Sequence, residues 1–333
     1  MHVSGSHAHL RGSRVVVRYA LETPDRVSGA RLTDVVGDLV DAGEESIVVD
    51  AAHGRVSIPR SAVLATRVVP PRPSRRGAPH RALSVEDLER VMVGAWPPSE
   101  QDRLGDWMLR SAGGFTARAN SALVVGHPDR PVPAALEVVE QWYAARHRAP
   151  VLALPMAPGA RLADDDVAAT AIRSGWVAGD PVLVLTGATR PIATTAQLPA
   201  TDIEIETVDH VTDAWFATYA RSRSASREHV EAVLQGSPAQ WFAVARSGSS
   251  AVLGVGRVGI HAGWAGIGAM WVEPEARGRG IGTAVLGSLL QRAIEHSCVS
   301  THLQVESANA AAARLYRRLG FTDHHTYAYL GRG

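Results

Sequence analysis

The stretch ARGRGIGTAV at 276–285 sets Gly278, Gly280 and Gly282 among Arg277 and Arg279, directly ahead of an apolar, helix-compatible run. Without a Cβ, these glycines let the chain turn sharply and bring its N–H groups close to a ligand. A strand ending at Val272 and feeding a helix near Thr283 would hold that helix's unpaired first N–H groups, and the positive end of its dipole, at the edge of a sheet. Such a place binds anions. Arg277 and Arg279 can bracket phosphate oxygens, so a pyrophosphate meets the demands of the loop. Glycine-rich strand-to-helix turns also serve as plain tight connections, and context decides between the two readings. A Walker-type loop ends in G-K-[ST], yet all 34 basic residues of this chain are arginine. A dinucleotide fold needs a parallel βαβ unit with an acidic residue about 20 residues on; here the preceding strand belongs to an antiparallel run.

A second run, LQVESANAAAARLYRRLGF at 303–321, carries the remaining candidates. Asn309 fits a helix N-cap. On the helix it opens, Ala312, Leu315 and Leu319 form an apolar stripe with Tyr316 at its edge, and Gly320 closes the helix. Periodicity alone makes Tyr316 a half-buried packing residue. Glu306 lies two residues beyond Gln304 and so on the same strand face. It can act as a base through water or be a solvated strand end. His302 shares that face, and Glu273, before Pro274, reads as surface.

Together, MWVEPEARGRGIGTAVL at 270–286 and the 303–321 run resemble the GCN5-related N-acetyltransferase (GNAT) superfamily, over roughly 201–330. The resemblance implies acetyl-CoA as co-substrate, its pyrophosphate held by main-chain groups of Arg277, Gly278, Arg279, Gly280, Ile281 and Gly282 where the helix opens towards Thr283. It implies that the backbones of Met270 and Val272 pair with the pantetheine arm as an added strand would. Trp271, between them, is a coenzyme contact or simply core. Asn309 becomes a coenzyme contact as well as a cap, and Tyr316 the general acid beside the sulfur. Some relatives carry a glutamate where this chain has Gln304, which cannot take up a proton. The implied reaction is direct acetyl transfer to a primary amine of a protein or small metabolite. The alternative is an acyl-CoA or peptide sensor without turnover.

Several elements must position these groups. Residues 14–69 read as short strands separated by turn residues, a small barrel. The Pro/Arg stretch 70–82 reads as an extended linker. From Ser84 the chain reads as a capped helix, a strand pair about Gly113-Gly114, then helix, strand, helix and strand to 187, with a second short connector at 190–200. The remainder reads as strand, two helices, three antiparallel strands, helix, strand, helix and strand. The fold class is therefore mixed α/β (α+β): a GNAT fold in tandem with a degenerate first GNAT-like unit, preceded by a small SH3-like β-barrel. Expected domains are the barrel at 13–69, the linker at 70–82, a degenerate unit at 83–190 and the catalytic unit at 201–333. The layout resembles actinobacterial tandem GNAT proteins with an N-terminal SH3-like barrel. In the first unit IRSGW at 172–176 mirrors RRLGF at 317–321, but Ala171 stands where the second has Tyr316. Its phosphate turn would be GHPDRPVP, where Pro128, Pro131 and Pro133 each remove an N–H donor.

With 333 residues, 46% hydrophobic, 20% charged and a net charge of +1, the chain exceeds a single core and offers no global field for nucleic acid or membrane. Cys298 is the only cysteine, which excludes an intrachain disulfide and a thiolate-built zinc site, so no metal is expected. No long apolar run or secretory h-region occurs, so a cytoplasmic protein is expected; the resemblance implies an amine substrate, and a homodimer through the barrel is compatible with the pattern.

Overall fold

The computed structural model describes residues 10–24, 30–51, 54–69, 78–197, 203–220, 226–248 and 251–332. The chain forms two compact units, residues 1–72 and 73–333.

The first unit is a five-stranded antiparallel sheet of β1 (Arg14–Ala20), β2 (Leu32–Ala42), β3 (Ser46–Ala51), β4 (Gly54–Pro59) and β5 (Val63–Val68), in the order β4-β3-β2-β1-β5. Alternation along β2 sends Val35, Gly37 and Leu39 inward and their neighbours outward. With Val15, Val17, Ile47, Val49 and Ile58 they make a small aliphatic core. The sequence pattern reads 55–69 as one strand, but a short 3-10 turn at Arg60–Ala62 divides it, and β5 returns to pair with β1.

The second unit runs α1 (Val85–Ala95), β6 (Glu100–Leu104), β7 (Trp107–Ser111), β8 (Ala122–Leu123), α2 (Val132–Ala144), β9 (Val151–Met156), α3 (Asp166–Arg173), β10 (Trp176–Ala178), β11 (Val182–Ala188) and α4 (Thr189–Thr195). It continues with β12 (Ile203–Val208), α5 (Asp213–Ala220), α6 (Arg227–Leu234), β13 (Ala239–Ser247), β14 (Val252–His261), β15 (Trp264–Val272), α7 (Ile281–Glu295), β16 (Ser300–Glu306), α8 (Ala310–Arg318) and β17 (Thr322–Arg332). One sheet crosses it in the order β12-β13-β14-β15-β16-β11-β17-β9-β8-β7-β6, with β10 on β17.

This order is mirrored about its middle. β8 and β9 pair in parallel, as do β15 and β16, and every other pair is antiparallel. The last strand of each half crosses over: β11 lies between β16 and β17, and β17 lies between β11 and β9. Packing follows the crossing. Ala328 and Leu330 of β17 complete the core under α2 and α3, while Leu185 of β11 joins the core of Val285, Leu286 and Leu289 beneath α7. On the opposite side α1 lies on β14, where a Cβ on Gly94 would meet the His261 ring at 2.2 Å.

Three local readings change. The hairpin about Gly113-Gly114 is replaced by one through Gly105, joining β6 to β7, and β8 is only Ala122–Leu123. Residues 117–119 form a 3-10 turn, because the Asn120 side chain takes up the backbone groups a longer strand would have used. The connector expected at 190–200 holds α4, anchored by buried Ile192 and Ala193; residues 198–202 lie outside the described residues. Of the linker expected at 70–82, residues 70–77 lie outside the described set, and Pro79–Arg81 forms a short turn whose His80 carbonyl accepts from Thr186 Oγ1 at 2.6 Å.

Two polar groups are buried in the sheet, and the first bridges the halves. Arg257 of β14 is wholly buried and donates to Leu234 O (2.6 Å), Ala95 O (2.8 Å) and Ser237 Oγ (2.7 Å), with no carboxylate beside it. His302 of β16 is 3% exposed and its Nε2 has no partner among the described residues. Burial, reinforced by the positive fields of Arg118, His261 and His325, pushes its pKa down to about 3. The unfolded ring protonates near 6.5 and the folded one near 3, so acidification through that window charges the unfolded state first and weakens the fold. The loss should reach on the order of 3 kcal/mol by pH 4. Urea midpoints recorded from pH 7 to 4 should fall steeply for the native chain and less so for His302→Gln; superimposable profiles would assign the acid sensitivity elsewhere.

Candidate active site

β15 and β16 pair in parallel only from Trp264 opposite Ser300 to Ile267 opposite Leu303, and then part. The cause is local. Ala269 has φ 52°, and the ladder between β14 and β15 slips between Val255 and Arg257, so β15 carries a bulge that bends it away from its parallel neighbour. A non-glycine residue there is held against a cost of roughly 1–2 kcal/mol. Between the parted strands lies a cleft of about 460 Å³. Ile267 and Gly268 of β15 and Leu303 and Gln304 of β16 line its apex, Ala269 to Trp271 one arm, Val305 and Glu306 the other, with Asn309, Ala312 and Tyr316 of α8 beyond.

Along the bent arm the Glu273 amide donates to Leu253 O of β14 at 2.9 Å. By strand alternation the polar groups of Trp271 share that side, whereas those of Met270 and Val272 face the open side. Val272 O accepts there from Arg277 Nε at 3.3 Å, and the Arg277 guanidinium lies 5.5 Å from the Trp271 ring centroid. The Trp271 ring packs against the cluster of Trp96, Phe115 and Phe242, and its indole N–H is buried without an acceptor among the described residues. Trp271 therefore both fills core and lines the cleft.

Past Val272 the chain makes the short turn Pro274–Ala276, and then Gly278 (φ 78°) and Gly280 (φ 79°) take left-handed conformations. Gly280 is the N-cap of α7, and no side chain caps that helix. Its first amides, those of Ile281, Gly282 and Thr283, thus lack intrahelical partners, and a Cβ at Gly278 would meet nothing within 4 Å. The Ile281 side chain is buried in the core beneath, so only its backbone is available to a ligand. Arg279 is exposed beside the opening.

On α8, Asn309 Oδ1 accepts from the Ala312 amide at 3.2 Å, the cap expected from sequence. Tyr316 is half-buried, stands edge-on to Phe321 with ring centroids 5.7 Å apart, and faces the cleft. Burial pushes its hydroxyl pKa up to about 12, so it stays protonated. Glu306 is exposed on the cleft arm at the end of β16. Gln304 accepts from Tyr327 Oη at 3.3 Å and sits 3.4 Å from Met92 Sδ. His302 is enclosed beside Trp264 and does not line the cleft, and Cys298 is buried with its thiol pushed up to about 11.

The opposite wall was not visible in the sequence. Trp96, Thr116, Ala117 and Arg118 from the first half, with Tyr327 and Tyr329 from the crossing strand β17, close the cleft over its apex. No motif marks them, since residues so far apart meet only through the strand crossing. At the matching place in the first half, α2 starts at Pro131 without glycines, and the position of Tyr316 is taken by buried Ala171.

Parted parallel strands, a glycine-opened helix behind one of them and an antiparallel meander before them define a GNAT fold. The chain belongs to the family described as "Probable histone acetyltransferase Rv0428c C-terminal", whose model matches residues 83–330. A second model, "Rv0428c N-terminal Sm-like domain", matches residues 10–67. The small β-rich unit expected from sequence is therefore Sm-like. A Mycobacterium tuberculosis protein named "Probable histone acetyltransferase Rv0428c" is 27% identical over 335 residues, covering 96% of this chain and 94% of its own. Among solved structures, a GCN5-related N-acetyltransferase from Kribbella flavida matches with TM-score 0.57 at 17% identity, over 74% of this chain and 95% of that one. A tandem GNAT protein from the clavulanic acid biosynthesis pathway matches with TM-score 0.54 at 16% identity, over 75% and 88%. These two are likenesses of fold.

The uncapped opening of α7 yields a direct test. In Gly280→Asp the new carboxylate would cap the same amides that an anionic ligand needs. Acetyl-CoA affinity, measured by calorimetry, should fall about tenfold or more, beside a modest drop in melting temperature from the left-handed conformation at this position; undiminished affinity would move the phosphates elsewhere.

Proposed function

We propose that the second unit is an acetyl-CoA-dependent N-acetyltransferase that passes the acetyl group directly to a primary amine. The observation that carries this reading is the cleft between β15 and β16, with open helix amides at one end and a protonated tyrosine on its wall. When bound, the thioester supplies an activated acetyl group and a thiolate leaving group whose pKa, by analogy with cysteine, is about 8.5.

The protein's part is positional and electrostatic. The amides of Gly278 to Thr283 and the α7 dipole hold the diphosphate, with Arg279 beside them. The outward-facing backbone groups of Met270 and Val272 pair with the pantetheine amides once Arg277 releases Val272 O, which ties diphosphate capture to opening of the strand edge. A main-chain N–H near Met270 to Val272 polarises the thioester carbonyl as its oxygen gains charge. Tyr316 gives its proton to the departing sulfur. Glu306, at the wet end of the cleft, takes the amine's proton through water. Attack on a bound thioester needs no enzyme nucleophile, and buried Cys298 is left with a structural place.

The mirrored strand order supports reading residues 83–190 as a decayed copy of the same unit, kept as the far wall of the cleft. The acceptor must then fit between the halves. A lysine of a protein, as the name of the Mycobacterium tuberculosis relative suggests, or a small amine would meet the same chemistry.

Thiol release from acetyl-CoA, followed across a panel of amines with the full chain, tests the reading. Amine-dependent release is expected; tight coenzyme binding with no release would make the protein an acyl-coenzyme sensor. Tyr316→Phe should lower kcat about 100-fold and leave the KM for acetyl-CoA nearly unchanged. Unaltered kcat, with chemistry limiting, would return Tyr316 to packing alone.

A further inference from the structure

The far wall of the cleft holds a cation with no counter-charge. Arg118 is half-buried, lines both the cleft and the smaller space behind it, and has no ion pair or hydrogen bond among the described residues. Its guanidinium lies 5.0 Å from the centroid of the Trp96 ring. Trp96 in turn lies on the cleft apex, since a Cβ on Gly268 would meet its Cζ3 at 2.9 Å. The charge therefore stands beside the point where the two strands part. Arg257 is 5.2 Å from the same ring, but each of its three nitrogens already donates, to Leu234, Ala95 or Ser237. The carboxylates nearby do not neutralise Arg118. Glu306 is exposed at the far arm, and Glu89, behind the apex, is bound to His325 Nε2 at 2.9 Å.

The loop that carries Arg118 is built to hold it there. Thr116, β-branched, is kept at φ 59°, a conformation that costs such a residue on the order of 1–3 kcal/mol. Its hydroxyl accepts from the Trp96 indole at 3.1 Å. One side chain overdetermines the turn: Asn120 Oδ1 accepts from the amides of Ala112 (2.8 Å) and Gly114 (3.0 Å), and its Nδ2 donates to Phe115 O and Thr116 O (both 2.9 Å). A strained, fully braced turn that ends in an unpaired guanidinium is an arrangement for presenting that guanidinium to a ligand.

We propose that Arg118 binds a carboxylate of the acceptor, so that the substrate is a small amine bearing a carboxylate close to its amino group, as an α-amino acid does. The planar fork of an arginine matches a carboxylate in two parallel hydrogen bonds, and stacking on Trp96 leaves its edge free to make them. The geometry sets the spacing, because the cation is beside the apex and an anion held there leaves its own amine within reach of the parted strands. The same charge disfavours an acceptor lysine flanked by other basic residues. This inference rests on the acetyl-transfer reading above for the identity of the amine.

Paired acceptors test it, with the full chain and acetyl-CoA: α-amino acids from each side-chain class against their carboxamides. The native protein should prefer the acids in kcat/KM by about 10- to 100-fold, as one charge-assisted pair supports. Arg118→Gln should erase that preference while leaving the carboxamide rates and the KM for acetyl-CoA unchanged, and Arg118→Lys should restore part of it. A uniform loss with both acceptor types would mean that Arg118 only packs on Trp96, and a preference for carboxamides or basic peptides would overturn the proposal. Calorimetry with N-acetylamino acids and their amides repeats the comparison without turnover. Arg118-dependent binding of the acids there, beside absent thiol release, would sink the transfer reading and keep the carboxylate site; equal or no binding of both would sink the site.

Discussion

A backbone amide removed from water must find an acceptor, and two strands that pair and then part leave a row of amides and carbonyls that the chain itself does not satisfy. In this protein the parting of β15 from β16 creates that deficit, and the left-handed Ala269 imposes it. The uncapped start of α7 adds a second set of unsatisfied donors a few residues on. Both deficits lie along one line, which is why an extended ligand with amides at one end and phosphates at the other suits the place. Arg277 partly relieves the strand edge by donating to Val272 O, a weak contact that a better partner can displace.

The far wall of that line depends on the crossing of β11 and β17. Each strand completes the hydrophobic core of the half to which it does not belong in sequence, so neither half has a closed sheet alone. Arg257 reinforces the arrangement by spending its donors on carbonyls and a hydroxyl from both halves. A first half without glycines at its own helix start and without a tyrosine at Ala171 is still required, since it supplies Trp96 and the braced turn ending in Arg118.

Much of the cleft was legible because its parts are local. Glycines at 278 and 280, the Asn309 cap and the alternation of 264–272 are each fixed by neighbours within a few residues. The crossing strands were not legible: Val182 pairs with Glu306 and Tyr327, and no sequence periodicity encodes a partner so distant. The run 118–125 reads as the second strand of a hairpin, yet a single asparagine outcompeted the ladder for the backbone. That competition also explains why Arg118 looked like an ordinary strand residue. The small N-terminal β unit shows the same limit, since its alternating strands were legible while the return of β5 to pair with β1 was not.

The crossing strands also bear on how the molecule is made. As the chain leaves the ribosome, β11 is synthesised long before β16 and β17, the strands it lies between, so the first half emerges with an unfilled slot in its sheet and exposed apolar edges. Its completion waits for β17. Late, long-range pairing of this kind slows folding and prolongs the window in which sheet edges of separate chains can meet. Until β17 has emerged the first half is a half-finished sheet, and the shared sheet can become a single cooperative body only once that strand is in place.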